Sequence, residues 1–316
     1  MDSEQEFDKM SKFEVSEEGS SESIMTKVIK KVRDKKHIIL FGPPGTGKTR
    51  LVSQLNNVIN IGVMDFVQFH SQYSYQDFIE GYSVAEGVFH YRQGVFLNFI
   101  DEVNNSTDKE GENILVIDEI NRADISSVFG ELLTYLDDGT SKKVKLPTSN
   151  KVLKIEKDIS IIGTMNSADK NISMMDFALR RRFDFIFVPP DYLGMVKWLN
   201  EFGFAFSNFS IDDYMKFAKI INHRILSNPL LGKNMTLGQS LFVPVPKNGG
   251  PIELSAICEM IQDRIVPQVE AYLGVGNHAD LDRILSPTIR HKVENGLDVN
   301  DTDVINLVTS TLSSAE

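Results

Sequence analysis

The 316 residues, 41% hydrophobic and 24% charged, fit one large globular domain or a core domain with a small satellite, and exclude collagen-like, mucin-like and wholly disordered chains. The net charge is −11, and residues 1–24 carry eight acids against Lys9 and Lys12, so the remainder is only mildly acidic, which argues against a whole surface that grips a phosphate backbone. No apolar run approaches the roughly 20 residues that span a bilayer, the acidic start lacks the apolar core of a secretory signal, and the single cysteine, Cys258, can make neither an intramolecular disulfide nor a cysteine-based zinc site, so a cytoplasmic chain without membrane contact is expected.

Residues 1–24 are polar, rich in Ser and Glu, and read as a disordered acidic tail. A helix is expected over Ser23–Asp34, with Ile24, Val28, Ile29 and Val32 on one face. Five short apolar strands follow, at His37–Phe41, Met64–His70, Asn113–Asp118, Ile159–Asn166 and Phe183–Val188, separated by helical stretches. That alternation predicts an α/β fold with a parallel sheet covered on both faces. Two β-hairpin inserts are expected, at Val88–Val95 and Lys142–Ile155. After Pro189-Pro190 the pattern turns helical, with helices expected at Tyr192–Phe202, Ile211–Leu226, Leu254–Gly274, His278–Leu285 and Val299–Leu312. The domains are therefore drawn as a tail to residue 24, a nucleotide-binding α/β domain over 25–190 and a helical lid over 191–316.

The segment Gly42-Pro43-Pro44-Gly45-Thr46-Gly47-Lys48-Thr49 is a complete G-x-x-x-x-G-K-T phosphate loop, placed after a buried strand and before a helix. Its glycines allow backbone N–H groups to turn inward onto phosphate oxygens. Lys48 is expected to reach the β- and γ-phosphates and Thr49 to ligate Mg²⁺. The strand Ile114–Ile117 ends in Asp118 and Glu119, read as a metal-shell carboxylate and a water-polarising carboxylate. Asn166 ends the next strand, where an amide can hold the lytic water or the γ-phosphate, or simply form a turn. Arg180-Arg181-Arg182 stand either as cations at a helix end or as an arginine finger aimed at a neighbouring subunit's nucleotide. Three successive helical residues project about 100° apart, so they cannot all face one ligand.

Together these motifs resemble the AAA+ class of P-loop NTPases, and most specifically the McrB family of GTP-hydrolysing motor subunits in modification-dependent restriction systems. The resemblance rests on Phe69-His70-Ser71-Gln72-Tyr73-Ser74-Tyr75-Gln76-Asp77-Phe78, on Ile117-Asp118-Glu119-Ile120-Asn121-Arg122-Ala123, on Gly163-Thr164-Met165-Asn166-Ser167-Ala168-Asp169 and on Ala178-Leu179-Arg180-Arg181-Arg182-Phe183. It runs from about Lys27 to Pro190, and Leu237-Gly238-Gln239-Ser240-Leu241-Phe242 matches the lid segment in part.

The resemblance implies an AAA+ fold of five parallel strands with a C-terminal helical lid. It implies Lys48 and Thr49 on phosphate and Mg²⁺, Asp118 and Glu119 as the Walker B acids, and Asn166 as the water-positioning sensor with Asp169 in the same motif. Arg181 and Arg182 match its trans-acting arginines, and Asp176 would support them. It further implies GTP as substrate with ATP as the alternative, a hexameric ring, a McrC-like nuclease partner, and DNA contact through the assembled complex. No sensor-2 arginine stands out among Arg264, Arg283 and Arg290. Members of that family carry a DNA-reading domain before the motor, so target recognition is expected on another chain or the chain is a motor-only member.

Three further expectations complete the reading. His70, Tyr73 and Tyr75 should pack a strand-to-helix junction. The basic run Lys27, Lys30, Lys31, Arg33, Lys35 and Lys36 should be a solvated helix face. Asp169 stands where a motif faces the γ-phosphate rather than a base. A MoxR-like or dynein-like remodeller of protein assemblies is the competing function, and a non-hydrolysing nucleotide switch the third.

Overall fold

The computed structural model describes residues 21–108, 110–138, 144–155, 158–168, 180–246, 249–274 and 276–314. The expectations for residues 1–20, for Asp169 and for Asp176 lie outside the described residues. By its internal contacts the chain divides into two compact units, one of residues 24–41 and 48–187, the other built on residues 42–47 and 188–316.

In the first unit, helix α1 (Ser21–Arg33) buries Ile24, Val28 and Val32, which recur every fourth residue and so share one face. Strand β1 (Ile38–Gly42) leads to helix α2 (Lys48–Ser53), then β2 (Ile61–Gln68), the short helix α3 (Tyr75–Phe78) and the hairpin strands β3 (Glu80–Ala85) and β4 (Val88–Gln93). Helix α4 (Val95–Asn105), β5 (Glu112–Asp118), α5 (Ile125–Phe129), α6 (Leu132–Asp138), β6 (Ser160–Asn166) and β7 (Asp184–Phe187) follow. The main sheet is parallel, in the order β2-β5-β6-β1-β7. The central β5 and β6 are buried almost throughout, whereas the edge strands β2 and β7 expose Phe66 and Phe185. That is the pattern expected of a sheet covered on both faces at its centre.

Strand β1 lies between β6 and β7, so the chain passes from β6 across β1 to reach β7. The strand order reverses there, and in such sheets ligands bind outside the carboxyl ends of the strands at the reversal. Lys48, Asp118, Glu119 and Asn166 all come from the carboxyl ends of β1, β5 and β6 or the residues just after them.

The first expected hairpin is longer than its sequence reading. Val88–Val95 supplies only the second strand, and β3 pairs with β4 through a two-residue turn, Glu86-Gly87, with φ of 53° and 78°. Positive φ at both turn residues matches the right-handed twist of the flanking strands. The second insert closes with a bridge between Lys145 and Val152. The buried Glu80 ties the two together: its carboxylate accepts from the N–H groups of Thr148 (2.8 Å) and Ser149 (3.1 Å) and from the Tyr91 hydroxyl (3.1 Å). Burial alone would raise the pKa of Glu80, but these donors outweigh it and hold the group below the ordinary carboxylate value.

The second unit is helical: α7 (Tyr192–Phe202), α8 (Ile211–Ser227), α9 (Leu254–Met260), α10 (Val266–Leu273), α11 (His278–Ile284), α12 (Pro287–Glu294) and α13 (Asp301–Ser313). They enclose a core that includes Leu199, Tyr214, Phe217, Phe242 and Ile257. The single helix expected over Leu254–Gly274 is interrupted by a π turn at Ile261–Ile265. Pro267, just beyond it, has no N–H and its ring crowds the carbonyl four residues back, which a locally widened turn relieves. Helix α12 was not anticipated, because Ile289 is its one fully buried residue and leaves no apolar stripe to read. Local chemistry starts it: the Ser286 side chain accepts from Ile289 N–H at 3.2 Å and Pro287 takes the first turn.

Candidate nucleotide-binding and catalytic site

Within the first unit, the strand ends assemble a connected polar cluster. Lys48, 6% exposed at the start of α2, donates to Asn166 Oδ1 at 2.9 Å. Asn166 Nδ2 donates to Glu119 Oε1 at 2.8 Å, and Arg122 Nε lies 3.4 Å from Glu119 Oε2. The Asn166 amide thus faces its oxygen to the cation and its nitrogen to the carboxylate, the one orientation that satisfies both. Thr49 Oγ1 donates to Asp118 Oδ1 at 2.9 Å.

Thr164 connects the two acids. Its hydroxyl donates to Asp118 Oδ1 in a short hydrogen bond and accepts from the Glu119 N–H at 3.3 Å. Glu119 itself sits in the left-handed region, φ 53° and ψ 43°, where the chain turns from β5 into a 3-10 turn at Ile120–Arg122. A non-glycine residue there costs on the order of 1–2 kcal/mol, so the conformation needs fixed partners. Sequence reading assigned Thr164 no role, although a signal was present. Side chains two residues apart on a strand share a face, so Thr164 points where Asn166 points.

In the second unit the phosphate loop has the backbone that its glycines permit. Gly45 and Gly47 adopt φ of 78° and 81°. A side chain on Gly42 would place Cβ 2.3 Å from the Val188 carbonyl oxygen, so the loop begins at a close backbone contact. Thr46 folds its hydroxyl back onto the Pro43 carbonyl at 3.1 Å.

A hydroxyl and a carboxylate held 2.9 Å apart, Thr49 and Asp118, are hard oxygen donors of the kind that Mg²⁺ takes. Those residues fit the cation that the phosphate loop implies. Among the described residues no group of three or more His, Cys, Asp or Glu could hold a separate metal ion.

Other expected residues fall as follows. Arg181 and Arg182 lie in a turn before β7; Arg180 and Arg181 are exposed and Arg182 is half-buried. In the lid, Arg264 donates to the Val243 carbonyl at 3.4 Å, Arg283 pairs with Asp280 at 3.5 Å, and Arg290 pairs with Asp282 and Glu294 at 2.6 and 2.7 Å. Tyr73 packs as expected, stacked on Phe69 at 4.5 Å, and burial raises its pKa to about 12. Tyr75 packs against Gly130, but His70 is exposed, where it meets the edge of Tyr73 and accepts from Gln72 N–H at 3.3 Å, so it is not buried in the junction. In the basic run only Lys31 is half-buried, paired with Asp184 at 2.7 Å; Lys27, Lys30, Arg33, Lys35 and Lys36 are exposed. Trp198 and the buried Cys258 belong to the lid core.

Residues 37–183 match the family described as AAA domain (dynein-related subfamily). The chain is 32% identical over 271 residues, 79% of its length, to the type IV methyl-directed restriction enzyme EcoKMcrB subunit of Escherichia coli (strain K12), and spans 57% of that protein. It is 28% identical over 202 residues, 51% of its length, to the type II restriction enzyme BsuMI component YdiS of Bacillus subtilis (strain 168), again spanning 57% of the relative. The matched residues 37–183 contain the phosphate loop, the paired acids at the end of β5 and the asparagine that ends β6, on the parallel sheet whose order reverses at β1. The chain is a McrB-like AAA+ protein.

Proposed function

We propose that the chain is a Mg²⁺-dependent nucleoside triphosphatase, with GTP the favoured substrate and ATP the alternative, which works in an AAA+ ring to drive a McrC-like nuclease in modification-dependent DNA restriction. The observation that carries the hydrolase reading is the connection Lys48–Asn166–Glu119 beside the Thr49–Asp118 pair. It brings a cation, a water-orienting amide and a carboxylate base candidate to one end of the sheet. The similarity to two restriction-system components supports the larger role.

In this reading Gly42, Pro43, Pro44, Gly45, Thr46 and Gly47 wrap the phosphates with backbone N–H groups, and Lys48 neutralises the β- and γ-oxygens. Thr49 and Asp118 would hold Mg²⁺, which supplies charge neutralisation on the phosphate oxygens. Asn166 orients the attacking water, and Glu119 polarises it and takes up its proton. Triphosphate arriving at Lys48 competes with Asn166 Oδ1 for the ammonium, which frees the amide for the water. Arg181 and Arg182 act in trans, each ring interface completing the neighbour's site, with Asp176 as their support and Asp169 beside the γ-phosphate.

Phosphate release with GTP and ATP, with and without a McrC-like subunit, tests this. Mg²⁺-dependent turnover that rises with the partner is expected, and no release with either nucleotide would refute the hydrolase reading. Mixing an Arg181→Ala/Arg182→Ala chain with a Lys48→Ala chain should restore part of the turnover, and no recovery in mixtures shown to co-assemble would refute trans action. The dynein-related description of the matching family favours one second reading, a remodeller of protein assemblies. Co-purification of a nuclease subunit separates the two.

A further inference from the structure

The lid segment that follows α8 runs along the phosphate loop, and both belong to the same compact unit. Three successive carbonyls of the loop accept from three successive residues of that segment. Gly238 N–H donates to the Pro44 carbonyl at 3.1 Å, and Ser240 N–H donates to the Gly45 carbonyl at 3.1 Å. Between them, the Gln239 side-chain Nε2 donates to the Thr46 carbonyl at 2.9 Å.

Elementary peptide geometry gives this ladder a consequence. In a trans peptide the C=O of one residue and the N–H of the next point in opposite directions, and no peptide bond in the described chain is cis. The carbonyls of Pro44, Gly45 and Thr46 share their peptide planes with the N–H groups of Gly45, Thr46 and Gly47. Holding those carbonyls toward the lid segment therefore turns the three N–H groups away from it. These are the donors that a phosphate loop presents to an anion. Each carbonyl bond also polarises its own amide, which strengthens the donor on the far side.

The segment is built for this contact. A side chain on Gly238 would place Cβ 2.1 Å from the Gly45 carbonyl carbon, so backbone lies directly on backbone. Leu237, fully buried, is clamped by Asn222: its N–H donates to Asn222 Oδ1 at 2.6 Å and its carbonyl accepts from Asn222 Nδ2 at 2.8 Å. The Gln239 amide is fixed at its other end as well, since Oε1 accepts from Asp191 N–H at 3.0 Å at the N-terminus of α7. That bond sets which way the amide faces, so Nε2 must meet Thr46.

We infer that the strap Leu237–Ser240 pre-organises the phosphate-binding amides of Gly45, Thr46 and Gly47, and that Gln239 is the positioning residue that transmits lid position to the anion site. The inference rests on the nucleotide-hydrolase reading and assigns the lid's contribution to amides held from behind rather than to an arginine. Gln239→Glu probes it with little change of shape. Asp191 N–H keeps its acceptor, but an oxygen now faces the Thr46 carbonyl and a negative charge stands behind the anion site.

The experiment measures the affinity of fluorescent GTP and ATP, competition by the matching nucleoside mono- and diphosphates, and the melting temperature without nucleotide, for parent, Gln239→Glu, Gln239→Met and Lys48→Ala chains. Gln239→Glu should weaken di- and triphosphate binding about tenfold or more and Gln239→Met several-fold, with monophosphate binding and the nucleotide-free melting temperature nearly unchanged. If either glutamine variant that melts like the parent binds triphosphate as the parent does, or loses mono- and triphosphate affinity equally, the strap does not orient the amides. Should Gln239→Glu fail to fold, Gln239→Met decides alone. Lys48→Ala binding like the parent would instead overturn the nucleotide reading itself, and with it the inference.

Discussion

Thr164 is 2% exposed, and replacing it by valine keeps the β-branched shape that β6 favours while removing one hydroxyl. Two hydrogen bonds go with it. The donor to the Asp118 carboxylate is charge-assisted and worth about 1.5–3 kcal/mol. The Glu119 N–H loses this acceptor in a half-buried place, which costs up to about 1–3 kcal/mol. Asp118 keeps Thr49 on the same oxygen, so the sum is set toward the lower end, about 2–4 kcal/mol. At roughly 2–4 °C per kcal/mol for a unit of this size, melting should fall by about 4–16 °C. Glu119 would also lose the contact that holds it in the left-handed region, and a misplaced water-polarising group costs about 10²-fold or more in turnover. Thr164→Ser keeps both bonds and should recover most of the stability and turnover. The assays are thermal unfolding followed by circular dichroism and single-turnover phosphate release. A valine variant that melts within about 2 °C of the parent and hydrolyses at the parental rate would show that this hydroxyl organises nothing.

Three shorter expectations follow from the same geometry. Glu119→Gln should bind nucleotide with parental affinity and lose about 10²–10⁴ in turnover, as read by filter binding beside phosphate release. His37 accepts from Ile161 N–H at 3.1 Å through Nδ1, and burial, helped by Lys36, lowers its pKa to about 4. The folded state thus excludes a proton that the unfolded chain binds below about pH 6.5, and stability should be full at pH 7 and fall by about 2 kcal/mol at pH 5 from this group; urea unfolding at both pH values, with His37→Gln removing the increment, checks the sign. Burial, then the neighbouring Asp301, pushes the Cys258 thiol to about 12, so iodoacetamide at pH 8 should label the chain only after denaturation.

The local parts of this protein were legible in its residues. Short apolar, β-branched runs such as Ile38–Leu40 and Ile114–Ile117, bounded by turn residues or acids, read as buried strands at this length, and a G-x-x-x-x-G-K-T run between strand and helix has one common use. Helix α7 and the stripe of α1 followed from periodicity, because burial on a helix face repeats about every fourth residue, and the strand ends at Asp118 and Asn166 followed from the apolar runs before them. What tertiary structure decided is every contact made at long sequence separation. The register of β5 against β6 brings Thr164 to Asp118 and Asn166 to Glu119, and no spacing in the chain announces which hydroxyl will reach which acid. The left-handed turn at Glu119 has no glycine to signal it, since its partners and not its own preference hold it. The strap beneath the phosphate loop is the largest case. Gly238, Gln239 and Ser240 lie almost two hundred residues from the carbonyls they hold, and two of the three bond through backbone N–H groups, which leave no side-chain signature to read.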